Sequence, residues 1–141
     1  MSDPVEQKLY DAARAGRASE VSSLLRDYPE INVNWTNDIQ WTALHAASFK
    51  GHDEAVKLLL AHPDIKVNLK NDDGQTPLSL ACEGSMDVFR LLWKDPHIDV
   101  TLEDRDGRTP LWYASCNGKH EMIECLIASG RSWGCQEQER E

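Results

Sequence analysis

The sequence predicts an all-α solenoid built from four stacked helix–turn–helix units. Three observations carry that prediction: one period shared by many columns, a turn-and-cap signature at the start of a unit, and apolar residues at helical spacing that no single unit can bury. Thr42, Thr76 and Thr109 are separated by 34 and 33 residues. Leu44, Leu78 and Leu111 follow each threonine by two positions, and Ala47, Ala81 and Ala114 by five. Pro29, Pro63 and Pro96 keep the same steps, as do Ile31, Ile65 and Ile98, and Val33, Val67 and Val100. Gly16, Gly51, Gly84 and Gly118 recur at intervals of 35, 33 and 34. Independent columns with one such period mark a repeat array.

The first unit, residues 4–36, runs through Leu9-Tyr10-Asp11-Ala12-Ala13-Arg14-Ala15-Gly16 and lacks a Thr-Pro start. Its second helix has Glu20 where later units have Ala55, Val88 and Met122, and Ser23 where they have Leu58, Leu91 and Cys125. Polar residues on an outer side are what a terminal repeat requires, so this unit reads as an N-terminal cap. The second unit, 37–70, opens its first helix at Thr42. In the third, 71–103, Asp73-Gly74 marks a tight turn, Thr76 is an N-cap, and Pro77 stands at the first helical position, where a missing N–H costs nothing. The fourth, 104–130, repeats this as Asp106-Gly107-Arg108-Thr109-Pro110. Second helices carry Val56, Leu59 and Leu60, then Val88, Leu92 and Trp93, then Met122, Leu126 and Ile127. These faces must be hidden by neighbouring units. Ile127 stands in the column of Leu60 and Trp93 with no switch to polar, and residues 131–141 are too few for another unit. Trp133 is expected to fold back over the fourth unit's face; the rival is a partner or a second copy docking there.

Composition narrows the function. The 141 residues carry a net charge of −9, from 24 acidic and 15 basic side chains. Such a surface repels a polyanion, which argues against nucleic acid and favours a basic partner face; the plainer reading is that the charge maintains solubility. No apolar run approaches a membrane span, and Met1-Ser2-Asp3-Pro4 lacks a signal peptide's basic flank, so a cytoplasmic or nuclear location is expected. Cys82, Cys116, Cys125 and Cys135 contain no C-x-x-C pair, and the five histidines never join them at ligand spacing. Neither metal nor cofactor is expected.

In the second unit, Thr42-Ala43-Leu44-His45-Ala46-Ala47 followed by Gly51-His52 and Val56-Lys57-Leu58-Leu59-Leu60 resembles the ankyrin-repeat family, with its T-P-L-H-x-A motif. Thr76-Pro77-Leu78 and Thr109-Pro110-Leu111 extend the resemblance across residues 5 to 130, and the Leu-x-x-x-Pro-x-Ile-x-Val style is similar to that of fungal arrays. The resemblance implies short β-hairpin fingers between units. It also marks departures. Ser79 and Trp112 replace the motif's His, Gln40 replaces the fingertip Gly, and the third unit is one residue short between Ala81 and Gly84.

What the family resemblance implies about function is a non-catalytic protein–protein interaction module that holds a protein partner with its fingertips and the concave face of its first helices. Carried over by position, the fingertips include Asp38, Ile39 and Trp41, then Asp73 and Gln75, then Arg105 and Arg108. The concave positions are Arg14 and Ala15, Phe49 and Lys50, Glu83, and Cys116 and Asn117. Trp41 and Phe49 stand out, because large aromatics at solvent-facing positions are enriched among binding hot spots. Trp41 packed against a neighbouring finger is the competing reading. Trp35 and Trp112 are expected to pack, with the edge of Trp112 able to reach the groove. A monomer is expected, with dimerisation through the fourth unit's face as its rival. The alternatives are a structural spacer, a recognition segment of a larger protein and, least favoured, an enzyme using Cys116 with His120. No phosphate loop or carboxylate pair supports the last.

Overall fold

The computed structural model describes residues 4–129, among which there are eight α-helices and no β-strand. They pair as α1 (Val5–Ala15) with α2 (Ala18–Asp27), α3 (Ala43–Lys50) with α4 (Asp53–Leu60), α5 (Pro77–Ala81) with α6 (Met86–Trp93), and α7 (Pro110–Cys116) with α8 (His120–Ser129). The first helices α1, α3, α5 and α7 pack one on the next as an inner layer, while α2, α4 and α6 form an outer one. The array is the four-unit all-α solenoid that the period predicts.

Each start signal does its expected work. The Thr42 hydroxyl accepts from the His45 N–H at 3.1 Å, Thr76 from the Ser79 N–H at 3.2 Å, and Thr109 from the Trp112 N–H at 3.3 Å. Each bond satisfies one orphan amide of a helix end. Pro77 and Pro110 occupy the first turn. Leu9, Val21, Leu44, Leu59, Leu78, Phe89, Leu92, Met122 and Leu126 are buried between units, with Trp93 stacked on Phe89 at 5.5 Å. On the first unit's outer helix only Val21 is fully buried, and Glu20 is exposed, ion-paired with Arg17 at 2.8 Å. The third unit's missing residue shows as a first helix of five residues ending at Ala81.

Two asparagines clip neighbouring loops together. The Asn34 carboxamide donates to the Asp64 carbonyl at 2.9 Å and accepts from the Lys66 N–H at 2.9 Å. One unit on, Asn68 donates to the His97 carbonyl at 2.8 Å and accepts from the Asp99 N–H at 3.0 Å. The next position in this column is Thr101, which bonds back to Asp99 of its own loop.

The fingers differ from the β-hairpins expected. Each is a tight turn closed by two backbone bonds: Asn37 N–H to the Trp41 carbonyl and Gln40 N–H to the Asn37 carbonyl, with the same pair from Asn71 to Gln75 and Gly74 to Asn71, and from Asp104 to Arg108 and Gly107 to Asp104. A side-chain oxygen takes over the remaining amides. Asn37 Oδ1 accepts from Ile39 and Trp41, Asn71 Oδ1 from Asp73 and Gln75, and Asp104 Oδ1 from Asp106 and Arg108. An Asx side chain that mimics the backbone in this way competes with a strand ladder. Adjacent fingers are joined by Asp72 N–H to the Ile39 carbonyl and Arg105 N–H to the Asp73 carbonyl. Gln40, in the fingertip Gly position, turns its finger as the glycines do, with φ 64° beside 78° at Gly74 and 79° at Gly107. The Trp133 expectation and the tail at 131–141 lie outside the described residues.

Candidate functional site

The finger of the second unit leans over the inner helices of the first two units. Trp41 ends that finger, and its indole meets the Phe49 ring edge-on with centroids 5.5 Å apart. Trp41 is half-buried, whereas Phe49 is 46 % and Ile39 50 % exposed. With Tyr10, Arg14, Ala46 and Lys50 they line a slot of about 210 Å³. Trp41 thus packs on His45 and Phe49 of its own unit while walling an open cleft. The Lys50 ammonium lies 5.8 Å from the Phe49 ring centroid. Tyr10 was absent from the expected contact set, although it stands four residues before Arg14 and so on the same helical face. Its ring also meets Trp35 edge-on at 6.2 Å, the packing role expected of that tryptophan.

Arg14 and Lys50 also line a wider hollow of about 590 Å³ with Asp11, Ala15, Arg17 and His52. The whole-chain charge of −9 does not describe this face, where cations border the aromatic slot.

The expected fingertip residues of the third and fourth units gather in a polar groove lined by Asp73, Gln75, Asp104, Arg105, Asp106, Arg108 and Tyr113. Their charges are largely spent on one another. Arg105 donates from its guanidinium to the Asp72 carbonyl at 3.1 Å, and Arg108 lies 3.7 Å from Asp106 and 4.4 Å over the Trp112 ring. Gln75 is held from several sides: its carboxamide donates to the Tyr113 hydroxyl at 3.3 Å and accepts from Asn71 at 3.0 Å, and its carbonyl contacts His45 Nε2. Tyr113 in turn donates to the Asp104 carboxylate. Burial alone would raise the Asp104 carboxyl, but this bond and the Arg108 and Asp106 N–H groups hold it below the usual range. Burial and the same bond push Tyr113 up to about 12.

Asp38 is exposed on the second unit's finger and lines neither the aromatic slot nor the polar groove. Glu83 is also outside both, and partial burial raises its carboxyl. Cys116 is exposed, and no hydrogen bond joins it to His120 among the described residues. Asn117 is engaged in helix capping, donating to the Tyr113 carbonyl at 2.7 Å. Trp112 packs as expected, with part of its ring left open. It is 39 % exposed and caught between Arg108 and Tyr113. Ile127 is 44 % exposed on the same unit. Among the described residues no helix is long and apolar enough to cross a membrane, and no group of three or more His, Cys, Asp or Glu is placed to hold a metal ion.

The family model for ankyrin repeats (three copies) matches residues 8–71 and 64–138. Similar proteins include oxysterol-binding protein-related protein 1 of Rattus norvegicus, 39 % identical over 77 residues that make up 55 % of this chain and 8 % of that protein. A probable E3 ubiquitin-protein ligase of Oryza sativa subsp. japonica is 38 % identical over 77 residues, 55 % of this chain and 15 % of the ligase. The chain therefore spans only a small part of these relatives. The Notch-regulated ankyrin repeat-containing protein of Xenopus tropicalis is 36 % identical over 86 residues, 59 % of this chain and 75 % of that protein. With its period, its Thr-capped inner helices and these matches, the chain belongs to the ankyrin-repeat family, whose repeats are in general non-catalytic protein–protein interaction modules.

Proposed function

We propose that this chain is a docking module that holds a protein partner against the slot of Tyr10, Ile39, Trp41 and Phe49. One observation carries the reading: two large apolar side chains, Ile39 and Phe49, are half-exposed beside a half-buried tryptophan in one concave place. An apolar anchor inserted there would remove that surface from water, at roughly 25 cal/mol per Å². Aromatic residues lining such a pocket are typical hot spots. A structural spacer has no need of exposed aromatics, which disfavours that alternative. The chain acts as a monomer in the cytoplasm or nucleus, and the Trp112 and Ile127 surface of the fourth unit is where a second copy would dock if it dimerised.

The test is an affinity capture from cell extract with wild type and a Trp41→Ala/Phe49→Ala double variant, each checked for helicity. Partners held by wild type and lost by the folded variant are the expected result. Identical capture by both, together with a single concentration-independent mass by sedimentation, would remove the slot from consideration.

A further inference from the structure

The geometry points to an acidic peptide segment as the occupant: an extended stretch of a partner protein with one bulky apolar side chain and carboxylates on one side of it. This inference rests on the docking reading above and adds the chemistry of the partner.

The slot is continuous with the hollow beside it, because Arg14 and Lys50 line both. Neither is ion-paired among the described residues; Arg17 is held by Glu20, and Asp11 is the single carboxylate lining the hollow, so the cations there are in excess. An apolar side chain entering the slot thus places the flanking residues of its own chain over two unneutralised cations. Carboxylates there gain charge-assisted hydrogen bonds at little desolvation cost, since both cations remain near water. On the opposite side the charge reverses. Glu83 follows Lys50 in the repeat column and carries a carboxyl already raised by partial burial, so acidic residues extending that way meet a like charge. The slot's flanks therefore ask for carboxylates toward the first unit and none toward the third. The basic partner suggested by net charge would place its cations against Arg14 and Lys50.

Random dodecapeptides displayed on phage and selected on the immobilised chain test this. The best peptide is then titrated against wild type, Phe49→Ala, Arg14→Glu/Lys50→Glu, its milder form Arg14→Gln/Lys50→Gln, and Lys66→Glu as a control in an exposed loop. Selected sequences should carry Asp or Glu on one side of an aromatic or leucine. Binding should be lost with Phe49→Ala, weakened at least about tenfold by the charge reversal and less by the glutamine pair, and unchanged by Lys66→Glu. Peptides that need Phe49 but lack acidic residues overturn the acidic partner and leave the docking reading standing. Peptides indifferent to Phe49, or no enrichment, overturn the inference as well; the docking reading is then judged by the capture experiment.

Discussion

His45 Nε2 donates to the Gln75 carbonyl at 3.0 Å, tying the inner helix of the second unit to the finger of the third. The tautomer follows from the other ring nitrogen: Nδ1 faces the Thr42 N–H at 3.2 Å, a group that can only donate, so the proton resides on Nε2. The imidazole is fully buried, and burial lowers its pKa to about 4.

Burial of this ring, against which the Gln75 bond pulls only partly, makes stability depend on pH. The folded pKa is below the ordinary value of 6.5, so the imidazole is neutral in both states above that pH and its contribution is intact there. Between pH 6.5 and about 4 the unfolded chain binds a proton that the fold resists, and up to about 3 kcal/mol is lost. Urea unfolding at pH 7 and pH 4 should show wild type losing more stability than His45→Gln, which has no titrating ring. Parallel losses would disprove the assignment.

Gln40 and Gly74 occupy equivalent left-handed turns, and their substitutions should act in opposite directions. Gln40→Gly relieves a side chain held at φ 64° and should add about 0.5–1 kcal/mol. Gly74→Ala introduces that strain and puts a Cβ 2.7 Å from the Arg105 backbone nitrogen, so it should cost at least about 2 kcal/mol. Thermal denaturation of both variants decides; a stabilised Gly74→Ala would mean that neighbouring fingers are not so close.

Asn34→Ala removes both bonds across the first loop pair and strands the Lys66 amide. A loss of about 1–3 kcal/mol is expected. Amide exchange should quicken at Lys66 while the equivalent Asp99 amide, held by Asn68, stays protected. Uniform acceleration along the chain would instead indicate a global effect.

Tyr113→Phe breaks the chain from Gln75 through the phenol to Asp104. The expected cost is about 1 kcal/mol, and the Asp104 carboxyl should titrate higher by carbon-detected NMR. An unmoved titration would leave the Arg108 and Asp106 amides and the Arg108 charge as its support.

Much of this architecture is legible in the residues. Thr42, Thr76 and Thr109 announce three helix starts because their spacing and their chemistry agree. Glu20 and Ser23 announce the capping unit in the same way. The site is legible only in part. Trp41 and Phe49 can be singled out, but their meeting depends on how the finger leans, which no local pattern encodes. Arg105 and Arg108 look free in the sequence and are engaged in the fold. Asn34 and Asn68 read as loop residues until the neighbouring loop is alongside. Asn37, Asn71 and Asp104 hide the reason that the hairpins do not form as strands.

The shortened α5 places the thinnest inner helix of the array between the first two units and the fourth. Every hydrogen bond described across the stack joins adjacent units, so strain passes along the molecule only through the middle pair, and five residues of helix are a slender strut. The aromatic cleft is assembled entirely from the first two units. Damage to the last two units should therefore register as a lower melting point while the walls of the slot keep their shape.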